Sequence, residues 1–204
     1  LDGSSNNVLG VRAINRILFD PADDNIVFVA TTTGYSGSGG IPYPTPPPRG
    51  LYRSINAMSG SPTFTRLEMG AGSNTLITDA VLEPGNPNNL ICAVYGQAAL
   101  GSIGGIYRST NALAATPAFS QRLALSDGLN VKFDIRKYGS VAVVLAATAE
   151  SNGALRKSRD GGQTWSAPFS AANGFCYPQC SYDIVLGLDP VDSNTVYIGG
   201  SAAG

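Results

Sequence analysis

A pattern that recurs about every fifty residues constrains this chain more than any other feature of its sequence. Each copy is an apolar run ending in an acidic residue and proline, then a polar turn and a second apolar run. Clear copies begin at Ile17, Ala80 and Val185, and a degenerate copy spans residues 132–147. Val, Ile and Tyr dominate the runs, and Pro with Asn or Asp is typical of hairpin turns. The pattern predicts an all-β chain of repeated antiparallel hairpins.

A second repeated segment follows each hairpin. Gly-Leu-Tyr-Arg-Ser-Ile-Asn from residue 50 and Gly-Ile-Tyr-Arg-Ser-Thr-Asn from residue 105 align with Ala-Leu-Arg-Lys-Ser-Arg-Asp from residue 154. The third copy continues through two glycines to Thr164 and Trp165. Asp160 can accept hydrogen bonds from the backbone of a turn, and the glycines can adopt positive φ. Each repeat is therefore predicted to have four antiparallel strands, with this turn between the third and fourth.

The third segment has the form S-x-D-x-G-x-T-W and resembles the Asp-box, or BNR repeat, of sialidases, Asp-box xyloglucanases and sortilin-type receptors. The resemblance implies an all-β β-propeller of four-stranded blades, in which the motif is structural and lies away from the active face. The residues that carry the full motif are Ser158, Asp160, Gly162, Thr164 and Trp165. Degenerate copies, with Asn in place of Asp and a later aromatic residue, comprise Ser54, Asn56, Phe64, Ser109, Asn111 and Phe119.

The whole chain, residues 1–204, is interpreted on this basis as one partial propeller of about three and a half blades. The predicted blades span residues 11–68, 74–125 and 129–168, and an incomplete blade spans 181–204. Propellers usually need four to eight blades to close. We therefore expect missing blades of the same protein, or closure by self-assembly or a partner.

Composition excludes several classes of function. The chain has no histidine, which removes Ser-His-Asp and Cys-His catalysis and every His-ligated metal site. The net charge is −1 and no basic run occurs, so no nucleic-acid partner is predicted. The apolar runs are too short to span a membrane. No cofactor and no metal are expected.

The three cysteines indicate the compartment. Cys92 lies in an apolar strand and is predicted to be a buried free thiol. Cys176 and Cys180 flank a short loop, and a disulfide between them is predicted in an oxidising environment. An extracellular or secreted protein is therefore expected, with the periplasm or cell surface as related locations.

In the families that this chain resembles, the face formed by the loops between strands 2 and 3 and between blades carries the substrate. Four tyrosines in or beside the corresponding loops are candidate binding residues: Tyr35, Tyr43, Tyr95 and Tyr177. Tyr35 and Tyr43 flank or enter the proline-rich stretch of residues 41–48, which is expected to be stiff and extended. The alternative for that loop is a surface segment folded against its own blade.

Two carboxylates are weak catalytic candidates. Asp79 and Asp183 are both predicted to precede an innermost strand at matching points of the repeat. Glycosidases need two carboxylates about 5–10 Å apart across the scissile bond. The alternative is that each carboxylate is solvated or caps a turn.

Two classes of function follow. The first is an extracellular module without its own catalytic centre that binds a polysaccharide or an extracellular protein, or takes part in assembly. The second is a fragment of a secreted glycoside hydrolase, xyloglucanase-like or otherwise polysaccharide-cleaving. A fold shared by binding proteins and enzymes does not choose between them.

Overall fold

The computed structural model describes residues 8–10, 12–33, 47–170 and 174–201, and these residues form antiparallel β-sheets. The first sheet contains β1 (Ala13–Asp20), β2 (Asp23–Thr32), β3 (Leu51–Ser54) and β4 (Thr65–Arg66). The second contains β5 (Leu76–Glu83), β6 (Asn86–Tyr95), β7 (Gly105–Ser109) and β8 (Phe119–Ala124). The third contains β9 (Val131–Tyr138), β10 (Val141–Thr148), β11 (Ala154–Ser158) and β12 (Phe169–Ser170). The fourth contains β13 (Ile184–Leu188) and β14 (Val196–Gly200).

Each of the first three sheets has its strands side by side in chain order. All neighbouring strands are antiparallel, and the described helical structure is limited to two 3-10 turns at Ala98–Leu100 and Glu150–Asn152. The prediction of an all-β chain built from four-stranded antiparallel sheets is confirmed.

The hydrophobic core lies between successive sheets. The second strands β2, β6 and β10 are covered on both faces, which explains their continuous apolar sequences. Leu90–Val94 and Val143–Ala147, for example, are almost completely buried. One cluster joins the first and second sheets around Phe28 and Leu90, and another joins the second and third around Ile91 and Phe133. The sheets are thus stacked face to face in chain order.

Aspartate side chains close the hairpins between the first and second strands of the first and fourth sheets. Asp20 Oδ1 accepts a hydrogen bond from the Ala22 backbone N–H at 2.9 Å. Asp189 Oδ1 accepts from the N–H groups of Val191 and Asp192, both at 2.9 Å. These short-range bonds explain the aspartates at the end of the first apolar run in these two sheets.

The turn between β11 and β12 is organised by Asp160. Its Oδ1 accepts hydrogen bonds from the N–H groups of Gln163 and Thr164 at 3.0 and 2.9 Å, and from Ser158 Oγ at 2.7 Å. The Thr164 hydroxyl donates to Oδ2 at 2.6 Å. Trp165 then packs near Phe133, with ring centroids 6.2 Å apart.

The corresponding turns of the first two sheets keep the same pattern with asparagine. Asn56 Oδ1 accepts from the N–H of Thr63, and Asn111 Oδ1 from the N–H of Ala118, both at 2.9 Å. Ser54 and Ser109 donate to these asparagines at 3.2 and 3.1 Å. Phe64 and Phe119 directly follow the donor residues, as Trp165 follows Thr164. Three additional residues in these turns therefore displace the aromatic position, while the bonds from the serine and from the residue before the aromatic are kept.

A cation at the same position of each third strand joins the sheet to the next one. Arg53 donates to the carbonyls of Ala112 and Ala114 at 2.6 and 2.7 Å. Arg108 donates to the Gly161 carbonyl at 2.9 Å, and Lys157 to the Ser193 carbonyl. The basic residue before each motif serine thus binds backbone carbonyls in a turn of the following sheet.

Candidate functional site

One cleft lies near the starts of the first strands of the four sheets, β1, β5, β9 and β13, which we call the inner strands. It has a volume of about 400 Å³. The starts of β1 and β5, the ends of β2 and β6, and the segments before β9 and β13 all contribute to it. Its lining residues are Ala13, Asn15, Thr32, Thr33, Leu76, Thr78, Tyr95, Asn130 and Ser181. We call this site the neutral cleft, because none of these side chains is charged.

Hydrogen bonds fix part of this lining and leave part of it available. Asn15 Nδ2 donates to the carbonyls of Ile77 and Thr78 at 3.2 and 3.3 Å, which links the first and second inner strands. Asn130 Nδ2 donates to the Cys180 carbonyl at 3.3 Å. The Thr78 hydroxyl is buried and has no hydrogen-bond partner among the described residues. A buried polar atom without a partner is costly to stability.

Tyr95 is the predicted binding residue that reaches this cleft. It ends β6, pairs with Leu76 across the sheet, and is partly exposed. Tyr177 is 52% exposed in the loop between Cys176 and Cys180, and it does not line the cleft. Tyr35 and Tyr43 lie outside the described residues. Of the two candidate tyrosines that the structure describes, Tyr95 lies at the site and Tyr177 does not.

A smaller charged cleft of about 250 Å³ adjoins the neutral cleft, and Asn15 lines both. Its charged lining residues are Arg16, Asp79 and Lys132. Each is paired with an alanine of the second strand of its own sheet, so the three occupy equivalent positions in the repeat. Arg16 Nε lies 3.5 Å from Asp79 Oδ1, and Lys132 Nζ donates to the Thr78 carbonyl at 2.9 Å. One carboxylate between two cations gives this cleft a net positive charge.

Asp79 is a buried structural carboxylate in this arrangement. It is 3% exposed and accepts hydrogen bonds from the backbone N–H groups of Ala80 at 2.9 Å and Phe133 at 2.8 Å. Burial raises the pKa of Asp79, although the Phe133 N–H and the nearby Arg16 and Lys132 act in the opposite direction. Of the alternatives open from the sequence, solvation is ruled out, because the carboxylate joins the second and third inner strands.

The strand registers correct the predicted position of Asp79. The strand β5 begins at Leu76, because Leu76 and Ile77 still pair with β6 before the irregularity next to Thr78. Asp79 therefore lies within an inner strand and does not precede it. Asp183 does precede β13, but it lies five residues before Leu188, whereas Asp79 lies three residues before the equivalent Leu82. The two carboxylates are not at matching points of the repeat, and Asp183 lines neither cleft.

Asp134 plays a role that the sequence pattern did not indicate. Its Oδ2 accepts a hydrogen bond from the Leu188 backbone N–H at 2.7 Å, and its Oδ1 accepts from Ile135 at 2.9 Å. Asp79 makes the same two kinds of bond one sheet earlier. The donors Phe133 and Leu188 each follow their acceptor by 54 residues, and this spacing was the available signal.

The cysteines occupy two different environments. Cys176 and Cys180 form a disulfide. Cys92 is a buried free thiol that lies 3.4 Å from the Met69 sulfur, and burial raises its pKa. Neither arrangement supplies a reactive thiol at the neutral cleft.

Searches against known proteins give no family for this chain. No family model matches it. No curated protein matches it significantly. Among the residues that the structure describes, no helix is long and apolar enough to cross a membrane, and no group of three or more acidic, Cys or His side chains converges on a metal position.

Proposed function

We propose that this chain is part of an extracellular β-propeller of the Asp-box class, and that it binds a neutral glycan in the neutral cleft. The adjacency of successive inner strands supports the propeller arrangement. Side chains of Asn15, Asp79 and Asp134 each bond to the backbone of the next inner strand. In a β-propeller, four-stranded sheets pack around a central channel. Contacts between the first strands of successive sheets are consistent with that arrangement. The Cys176–Cys180 disulfide supports an oxidising compartment.

The observation that carries the ligand assignment is the chemistry of the cleft lining. Hydroxyl and amide groups of Asn15, Thr32, Thr33, Asn130 and Ser181 surround the space without a formal charge. Its volume of about 400 Å³ falls within the range of small-molecule sites. A sugar ring presents hydroxyl groups for such partners and a C–H face that packs on an aromatic ring. Tyr95 supplies that ring.

The test is binding of neutral oligosaccharides to the purified chain, measured by isothermal titration calorimetry across a panel of plant and microbial glucans, xylans and mannans. We expect Tyr95→Ala to weaken binding by roughly tenfold, the effect of about 1.4 kcal/mol. Tyr177→Ala is the matched control, because it removes an exposed tyrosine that lies outside the cleft. Binding that depends on Tyr177 and not on Tyr95 would refute the site assignment, and absence of binding to every glycan would refute the ligand class.

The glycoside hydrolase alternative has one observation in its favour. Asp79 lines the charged cleft, and burial raises its pKa, which is the property of a general acid. Hydrolysis also needs a second carboxylate, and the described linings of the two clefts provide none. Release of reducing sugars that Asp79→Asn abolishes, in a variant with unchanged circular dichroism, would favour the enzyme over the binding module.

A further inference from the structure

A third cleft lies at the opposite end of the second sheet, where β7 and β8 meet the turn that joins them. It has a volume of about 310 Å³. Two arginines, Arg108 from β7 and Arg122 from β8, line it together with Thr110, Asn111 and Ser120. The neutral cleft is formed at the other ends of the strands, so the two sites share no residue. We call this site the arginine cleft.

Arg122 is placed there by an irregularity in the sheet. Gln121 pairs with Tyr107 and Leu123 pairs with Ile106, so Arg122 is the extra residue between two regular pairs. Its Nε atom is buried and has no hydrogen-bond partner among the described residues. A bulge that directs a charged side chain into a cleft is a common feature near binding sites. The unpartnered N–H group needs an acceptor that the described residues do not provide.

Arg108 is held in position from one side. Its Nε donates to Asn89 Oδ1 at 2.7 Å and to the Gly161 carbonyl at 2.9 Å, and its Nη1 donates to Gln163 Oε1 at 2.7 Å. Its Nη2 makes no hydrogen bond within the described ranges. The guanidinium is therefore rigid and still has donors to offer.

The charges around the two arginines favour an anion. Burial, followed by the charge of Arg122, lowers the pKa of Arg108, while Asp160 and Glu83 act in the opposite direction. In the part of the chain that the structure describes, neither arginine forms an ion pair with a carboxylate. Two neighbouring cations without a paired carboxylate repel each other until an anion is bound.

We infer that the arginine cleft binds a tetrahedral oxyanion, a phosphate or sulfate group, between Arg108 and Arg122. Guanidinium groups bind such oxyanions through two or more charge-assisted hydrogen bonds. The Thr110 hydroxyl and the Nδ2 group of Asn111 also line the cleft and can donate to the anion, whereas Ser120 Oγ already donates to the Arg108 carbonyl at 3.5 Å. The group can be a free ion or an ester carried by a glycan, and the chemistry of recognition is the same for both.

The experiment is an isothermal calorimetric titration of the wild-type chain with sodium sulfate and with sodium phosphate at constant ionic strength. We expect saturable binding that Arg122→Gln weakens at least tenfold, in line with the loss of a charged hydrogen bond. Arg122→Lys, which keeps the charge and removes Nε, should give an intermediate loss. Arg159→Gln is the matched control, because it removes one exposed arginine charge in the neighbouring turn, where Arg159 contacts Asn194.

Several outcomes decide the inference. Equal losses in Arg122→Gln and Arg159→Gln would show nonspecific charge attraction and overturn it, as would no saturable binding to the wild-type chain. If Arg122→Gln does not fold, loss of binding in folded Arg122→Lys still supports the site, and unchanged binding in it overturns the role of Nε. Dextran sulfate and unmodified dextran distinguish the sources: stronger, Arg122-dependent binding of the sulfated polymer assigns an ester, and binding of the free ions alone assigns a free anion.

Discussion

The turn of the third sheet and the corresponding turn of the first sheet are organised by the same kind of side-chain acceptor, but they differ in length and in surroundings. Asp160 accepts four hydrogen bonds, and the donor Thr164 follows it by four residues. Asn56 accepts three, and the donor Thr63 follows it by seven.

The difference lies in the room available around the two turns. A Cβ atom on Gly162 would lie 2.8 Å from Ile91 Cγ1 in the second sheet, and one on Gly161 would lie 2.7 Å from Asn89 Nδ2. A Cβ atom on Gly60, in the first-sheet turn, would meet nothing within 4 Å. The two glycines of the third-sheet turn thus lie where a side chain would meet the second sheet, whereas Gly60 of the first-sheet turn has open space around it.

The largest expected effect comes from filling the close contact. Gly162→Ala should reduce the free energy of unfolding by about 3 kcal/mol, because it adds a positive-φ penalty to a clash with a buried side chain. Gly162 has φ 85°, and Ile91 is completely buried. Urea denaturation followed by circular dichroism measures the change.

Gly60→Ala is the matched control, and it should change stability by less than about 0.5 kcal/mol. Equal effects of the two alanines would contradict the proposed difference in packing between the turns.

The next largest effect is expected from removing the side-chain acceptors of the two turns, Asp160 and Asn56. Asp160→Ala should lower the free energy of unfolding by about 2 kcal/mol at neutral pH, and Asn56→Ala by about 1 kcal/mol, because hydrogen bonds to a charged acceptor are stronger than those to a neutral one. Burial alone would raise the pKa of Asp160, but hydrogen bonds from Thr164, Ser158 and Gln163 outweigh it and hold the pKa below its ordinary value.

The lowered pKa fixes the sign of the pH dependence. An aspartate with a lowered folded-state pKa contributes stability above its unfolded pKa, near 4, and this contribution is lost as pH falls through the folded pKa. The difference between wild type and Asp160→Ala should therefore shrink in acid, whereas the difference for Asn56→Ala should stay constant. A difference for Asp160→Ala that does not depend on pH would show that its carboxylate charge is irrelevant.

The sequence predicted the parts of the fold that depend on local chemistry. Hairpin turns such as the one at Asp20 were predictable because the side chain bonds to the backbone two residues away. The turn at Asp160 was predictable for the same reason. The buried strand around Leu90–Val94 was predictable from its continuous apolar run.

The candidate site was less predictable because its contacts join residues far apart in the chain. Asp79 bonds to the N–H of Phe133, 54 residues away, and no pattern near Asp79 in the sequence identifies that partner. Tyr95 could be proposed from its place beside a loop, but the neutral lining around it depends on four inner strands meeting. Arg122 was missed because an irregularity between two strand pairs leaves no pattern in one strand alone.

The smallest expected effect is that of a substitution at Trp165, which gives the third sheet the same aromatic residue as the other two. Trp165→Phe introduces the residue found at Phe64 and Phe119, and we expect a change in unfolding free energy within about 1 kcal/mol. The indole Nε1 is buried without a hydrogen-bond partner among the described residues, so removing it offsets part of the lost packing against Phe133. Circular dichroism must report the unfolding, because Trp165 is the sole tryptophan and the variant has no indole fluorescence. A loss above about 2 kcal/mol would mean that the short turn requires the larger ring to fill the contact with the second sheet. The tryptophan, together with the two glycines, would then distinguish the short turn from the longer ones.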